Sequence, residues 1–367
     1  MNFGFDEDQT SLGDTAARLL ADHPGLLAPA PKVADQAAAW DALAGLGLFA
    51  LLVPERHGGA ALTLVDVALA VEALGAGLAP PAASATLAAT DVLLRHGSEG
   101  QQSEWLPRIA SGDTKFAIAA VEAGQGDDPL EVACSFEGSV LQGAKLLVPQ
   151  ADEASAFLVV ARSGTGPAVV LVPRDAPGVT VRQHEDIDPS CSFCEVSFTS
   201  VKLDAGAVLS EGAALRLLDV SATLHAGMQS GIAARMLELA VEYAKTRIQF
   251  GQPIGAFQAI KHRCADMATA LEAARSAVYY AFWAVAEDAP DAARAVSMAK
   301  LTCGEVSRAI CTETIQVHGG MGFTWELGLH RYLRRARVME HAFGDAAWHG
   351  ERILAQTLAG LQAGSGR

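Results

Sequence analysis

Apolar residues change their period twice along this chain, near Asp113 and again near Leu209. Helices repeat about every 3.6 residues and strands every two, so the double switch constrains the fold more than any single motif. Before it, Thr10 to Asp22, Ala37 to Leu48, Thr63 to Leu74, Ser84 to His96 and Gln101 to Ile109 carry Leu/Ala-rich helical spacing. Pro and Gly fall in the breaks, at Val53-Pro54-Glu55-Arg56-His57-Gly58-Gly59 and Pro80-Pro81, and Ser84 is a candidate N-cap.

Between the switches lie Phe116 to Ala119, Val132 to Phe136, Ser139 to Leu141, Ala156 to Val160, Ala168 to Val172, Val179 to Val181 and Cys194 to Phe198. They are short, apolar and separated by Gly, Asp and Pro, which predicts an antiparallel sheet or small barrel. After Leu209, the runs Ala213 to Arg247, Phe257 to Ala286, Ala292 to Val317 and Asp345 to Leu361 are long and helical. The expected fold is mainly α with a middle β-domain. It has an N-terminal helical domain (1–112), a β-barrel-like middle domain (113–208) and a C-terminal four-helix bundle (209–367) that builds an oligomer core.

Half of the 367 residues are apolar, enough for a large core, yet no uncharged run approaches the length of a membrane span. A net charge of -15 argues against nucleic acid or anionic lipid as partner. The acidic start Met1-Asn2-Phe3-Gly4-Phe5-Asp6-Glu7-Asp8 is unlike a signal peptide, so a cytoplasmic protein is expected. Among six cysteines, Cys191 and Cys194 form one C-x-x-C. Without a second pair or spaced histidines it reads as part of a strand, not as a metal site.

Two glycine-rich clusters stand at helix ends. One is Arg247-Ile248-Gln249-Phe250-Gly251-Gln252-Pro253-Ile254-Gly255-Ala256-Phe257-Gln258, and the other is Gln316-Val317-His318-Gly319-Gly320-Met321-Gly322-Phe323. An arginine can grip a pyrophosphate, an aromatic can lie on adenine, and glycines allow close backbone approach. Each cluster would also serve as a plain helix stop. Together, and with the order helices, sheet, helix bundle, they resemble the acyl-CoA dehydrogenase family over essentially the whole chain. That resemblance implies FAD, and a dimer in which these segments reach the neighbour's cofactor. The residues so implied are Arg247, Gln249, Phe250, Phe257, Gln258, Gln316, Val317, His318, Gly319 and Gly320, with His318 as packing or polar support.

The rest of the family's site is altered. The flavin-contacting segment near T-E-P-G-A-G-S-D corresponds to Val121-Glu122-Ala123-Gly124-Gln125-Gly126-Asp127-Asp128, so Val121 replaces a hydroxyl and Asp127 places a negative charge near a pyrophosphate. Leu147 and Pro149 stand where the family has a flavin-stacking aromatic and a Thr. Aligned on the arginines of Arg334-Arg335-Ala336-Arg337 and on Gly344, the catalytic Glu position holds Phe343 and the following Thr position Asp345. The alternative base position of some branches, counted back from Arg247, falls on Ser221, near Asp219. Glu340 is a carboxylate one turn early.

Such a chain has an intact outgoing half-site and an eroded incoming one. It resembles the non-catalytic β subunit of α2β2 acyl-CoA dehydrogenases that act on bulky steroid side-chain CoA thioesters. There the sister subunit's carboxylate takes the α-proton, a hydride goes to the flavin, and electrons pass to an electron-transfer flavoprotein. Two other readings stay open: a homomeric flavoenzyme with a relocated base (Glu340, Asp219 or Asp345), and a non-enzymatic scaffold of the same fold.

Overall fold

The computed structural model describes residues 4–364 apart from 29–30, 127, 165, 185–187 and 189. Five helices come first: α1 (Glu7–Ala21), α2 (Val33–Gly45), α3 (Ala68–Ala76), α4 (Pro81–His96) and α5 (Glu99–Ala110). Seven strands follow: β1 (Phe116–Ala119), β2 (Ser135–Glu137), β3 (Val140–Pro149), β4 (Ala156–Ser163), β5 (Gly166–Pro173), β6 (Val179–Gln183) and β7 (Phe193–Lys202). Helix α6 (Ala213–Thr246) leads into a hairpin of β8 (Ile248–Gln249) and β9 (Gln252–Pro253), then α7 (Gln258–Ala286), α8 (Ala292–His318), α9 (Leu329–His341) and α10 (Ala346–Gly364). No described helix is long and apolar enough to cross a membrane.

Local chemistry sets the helix starts. Asp6 with Gln9, and Ser98 with Gln101, form reciprocal capping boxes that satisfy the first amides of α1 and α5. Ser84 is not the cap expected for α4. That helix begins earlier, at Pro81, where a missing N–H costs nothing, and the Ser84 hydroxyl donates inside the first turn to Pro81 O at 3.1 Å. The expected C-terminal helices are present as α6, α7, α8 and α10, and α9 occupies a stretch to which no helix was assigned. Its buried face, Leu329, Tyr332, Arg335, Ala336 and Met339, has helical spacing, but the buried Arg335 hides it from a hydropathy pattern.

The chain packs as two compact units built from non-contiguous segments: Met1–Asp35, Leu64–Ala79 and Ala222–Arg367 in one, Gln36–Thr63 and Pro80–Ser221 in the other. In the second unit the strands run in the order β1-β4-β2-β3-β7-β6, with β5 on β4. The sheet is mixed rather than purely antiparallel, because β1 and β2 both run parallel to β4. The chain between β1 and β4 is long enough for the crossover that parallel pairing demands. Phe157 and Phe198 meet edge to face at 6.5 Å in its core. The buried Gln150 side chain ties this unit together, accepting from Ala82 N at 2.7 Å and donating to Gln36 Oε1 at 2.6 Å.

In the first unit α3 lies backbone to backbone against α6. A Cβ on Gly75 would sit 1.9 Å from Met228 O, and one on Gly231 would sit 1.8 Å from Glu72 O, so only glycine fits at either place. Glu72 beside this contact accepts from Tyr279 Oη at 2.7 Å and Arg275 Nε at 3.1 Å. That pairing keeps a half-buried carboxylate satisfied.

Candidate functional site

Helix α6 delivers the first glycine-rich cluster. Arg247 follows its last residue, and the Arg247 amide still donates to Tyr243 O at 2.8 Å. Phe250 (φ 53°) and Gly251 (φ 80°) form the two-residue turn of the β8–β9 hairpin. Phe250 is 91% exposed at that tip, its ring edge-on to Phe257 at 6.1 Å. Arg247, Gln249 and Gln258 are exposed, and Phe257 is half-buried before the first turn of α7.

Helix α8 delivers the second cluster. Gln316 points to solvent while Val317 and His318 are buried. His318 Nδ1–H donates to Thr314 O at 2.8 Å, and the ring stacks on Tyr243 at 4.2 Å. Tyr243 thus holds both clusters: its carbonyl takes the Arg247 amide and its ring carries His318. Gly319 (φ 59°) and Gly320 have nothing within 4 Å of where a Cβ would lie, leaving an open backbone cradle. Exposed Phe323 (77%), Trp325 and Met321 follow. The cation Arg247, the amide side chains Gln249, Gln258 and Gln316, and the bare glycine backbone fit the dinucleotide half of FAD.

The chain's own flavin half-site is built on different chemistry. The Lys145–Val148 register shift in the β3–β7 ladder is a bulge that turns Leu147 (φ 51°) outward, leaving it 53% exposed. Leu146 N donates to Val121 O at 2.8 Å, and both apolar side chains, Val121 and Leu147, face solvent. Beneath them, fully buried Lys145 pairs with Glu122 at 2.6 Å and also donates to Ala120 O at 3.1 Å. Glu122 further accepts from Ala133 N at 2.6 Å and Cys134 N at 2.9 Å. Burial opposes the Glu122 charge, but Lys145 and these amides hold its carboxyl below the ordinary range. Pro149 sits opposite Phe193 in the ladder and offers neither N–H nor hydroxyl. Asp127 lies outside the described residues. The side chains of Val121, Leu147 and Pro149 offer a flavin ring no hydrogen-bond donor, so these three positions do not fit the cofactor.

At the base position, Phe343 is left-handed (φ 59°) and Gly344 follows at φ 98°. His349 Nε2–H donates to Phe343 O at 3.1 Å, and buried Lys300 Nζ donates to Glu340 O at 3.0 Å and Gly344 O at 3.4 Å. Burial pulls the Lys300 ammonium down to about 7, against the pull of Glu340 and Asp345. Burial, then the Lys300 charge, also takes His349 down to about 3; His225, with Lys300 and Arg335 near it, falls to about 3 for the same reasons. A histidine this weakly basic is a poor acceptor of an α-proton at neutral pH. Glu340 pairs with Arg308 and Arg337, Asp345 accepts from Trp348 N at 2.9 Å at the start of α10, and Ser221 is buried.

Sequence reasoning missed Lys145, Lys300, His225 and His349. Lys145, Lys300 and His225 lie in apolar stretches and His349 follows one, and only tertiary contacts reveal their roles. Among the described residues, no group of three or more His, Cys, Asp or Glu could hold a metal ion, and Cys191 and Cys194 are buried thiols.

Comparison with known proteins places this geometry. The acyl-CoA dehydrogenase N-terminal domain family matches residues 6–113, and the C-terminal domain family matches residues 212–358. The human mitochondrial short-chain specific acyl-CoA dehydrogenase is 34% identical over 81% of this chain and 77% of its own length. Two solved structures superpose on nearly the whole chain. One, a Tcur3481–Tcur3483 steroid ACAD variant, is 30% identical at a TM-score of 0.89, covering 97% of this chain and 99% of that one. The other, the ChsE4–ChsE5 complex from Mycobacterium tuberculosis, is 28% identical at a TM-score of 0.87, covering 98% and 99%. With both terminal domains matched and a relative 34% identical over 81% of this chain, the chain belongs to the acyl-CoA dehydrogenase family.

Proposed function

We propose that this chain is the non-catalytic subunit of a cytoplasmic α2β2 flavin-dependent acyl-CoA dehydrogenase. It completes the FAD site of a catalytic sister chain. The carrying observation is the contrast between its two halves: Arg247, Gln316 and the Gly319–Gly320 cradle are open to a ligand, while Val121, Leu147, Pro149 and Phe343 supply neither flavin contacts nor a base. The likeness to the ChsE4–ChsE5 complex and to a steroid ACAD supports the heteromer and a bulky substrate such as a steroid side-chain CoA thioester.

When bound, FAD would supply the hydride acceptor for α,β-dehydrogenation, with an electron-transfer flavoprotein as the partner that takes the electrons. On this chain Arg247 would hold the pyrophosphate, with Gln249, Gln258 and Gln316 as amide partners. Phe250 and Phe257 would serve the nucleotide, and Gly319 and Gly320 would admit it beside Val317 and His318. The sister chain's carboxylate removes the α-proton. Glu340, the candidate substitute base, already serves two arginines, so the homomeric reading gains nothing from its placement.

Flavin content tests the proposal. The chain alone should bind little FAD and turn over no acyl-CoA, and co-expression with its sister should give one FAD per heterodimer. Arg247→Ala should lower FAD affinity of the assembly by roughly ten- to a hundredfold, the value of one charge-assisted hydrogen bond. Stoichiometric flavin with turnover on the isolated chain, or unchanged affinity in an intact Arg247→Ala assembly, defeats the reading.

A further inference from the structure

Helix α6 carries a line of polar side chains through buried surroundings. Ser221, His225 and Gln229 stand four residues apart, so they share one helix face. Each holds a buried polar atom with no hydrogen-bond partner: Ser221 Oγ, His225 Nδ1 and Gln229 Oε1. Among the described residues seven buried side-chain atoms are in this condition, and three of them lie on this one face. Gln229 is 0% exposed and Ser221 2%. The Gln229 amide nitrogen donates to Ala336 O at 3.3 Å, which fixes the amide orientation and leaves Oε1 as a pure acceptor. Buried acceptors left bare are costly, and folded proteins satisfy nearly all of them with protein or water.

The spacing selects the ligand. Side chains four residues apart on a helix face are neighbours, about 5–6 Å apart at Cβ, within reach of one bent water whose two hydrogen bonds of about 2.8–3.0 Å span acceptors about 4.5–5 Å apart. A single water between neighbours therefore reaches both. Water also carries two hydrogens, which matches two acceptors. The burial and nearby cations described above keep His225 neutral, so Nδ1 offers a lone pair when the ring proton is on Nε2.

We propose that this face of α6 is a buried hydration site, in which one water donates to both Gln229 Oε1 and His225 Nδ1. The site does not depend on the heteromer reading, since it rests on the helix alone.

The test uses the chain in its native assembly. A crystal structure at a resolution that orders internal water should show a water within hydrogen-bond distance of both Gln229 Oε1 and His225 Nδ1. Dry density there overturns the proposal. A thermal cycle of His225→Phe, Gln229→Leu and the double variant gives a second reading. Each single variant should lower the melting temperature by roughly 2–4 °C. The double variant should lose less than the sum, because one shared water couples two residues that make no direct hydrogen bond. Strict additivity overturns the proposal. If the double variant does not fold, the wild-type density decides alone.

Discussion

His225 stands edge-on to Phe343, with ring centroids 4.9 Å apart and planes at 76°. Such a pair contributes about 0.5–1.5 kcal/mol beyond burial. It closes over a loop held almost entirely through its backbone, by His349 on Phe343 O and by Lys300 on Glu340 O and Gly344 O. The loop's geometry is therefore set by groups other than the side chain at 343. The side chain at 343 can thus change without loss of the loop.

That separation predicts the behaviour of Phe343→Glu. The variant should fold and assemble, because the backbone anchors remain. It should not create a second active site, because Val121, Leu147 and Pro149 still offer nothing to a flavin. Flavin stoichiometry and turnover per assembly should match the parent. A doubling of either would mean that the missing carboxylate was the only defect.

The order of elements was legible because it rests on period, which burial enforces over long stretches. The glycine-rich clusters were legible as helix ends, because glycine is the common residue at a helix stop. What was hidden is what sits beneath them. Lys145 and Lys300 look like interruptions of apolar runs, and nothing in their neighbourhood names Glu122 or the carbonyls of Glu340 and Gly344 as partners. Helix α9 was hidden for the same reason, since Arg331 and Arg335 occupy its buried face. Parallel pairing of β1 with β4 leaves no local trace, since register between distant strands is set by packing.

Acid should destabilise the first unit through its buried histidines. His225 and His349 are held near 3 in the fold, below the ordinary histidine value of about 6.5 in the unfolded chain. The unfolded state therefore binds more protons between those values. The stability is fully present above about pH 6.5 and drains as pH falls toward 3, at about 1 kcal/mol per pH unit for each ring. Lys300 acts in the other window. Its lowered value means stability rises with pH from about 7 towards 10. Urea unfolding across pH should show the acid limb shrink in His349→Gln and the alkaline rise vanish in Lys300→Met.

The Glu122–Lys145 clamp should be asymmetric to mutation. Lys145→Met leaves a carboxylate with two amide partners but no cation, and should cost about 3–5 kcal/mol. Replacing both residues with apolar ones of similar volume should cost less than that single change, since no charge is left stranded. Denaturant unfolding of the single and double variants checks the order. A double variant that loses as much as the Lys145 and Glu122 single changes added together would mean that the pair contributes no coupling.

The last prediction concerns Phe250. A non-glycine residue at φ 53° carries strain of about 1–3 kcal/mol, and β-hairpin turns of this kind favour Asn-Gly. Phe250 accepts that strain at 91% exposure, with only the edge of Phe257 to return anything within the chain. An exposed aromatic on a strained turn makes sense if its return comes from outside the chain. Phe250→Asn should therefore leave the isolated chain as stable as before or more so by up to about 1 kcal/mol. In the proposed heteromeric assembly the same change should weaken FAD retention or subunit association, because the ring proposed to cover the nucleotide is gone. Melting temperature of the chain alone, set beside flavin content of the purified assembly, separates the two effects. A variant that loses stability alone and keeps its flavin in the assembly would show that the ring serves the hairpin and not the cofactor.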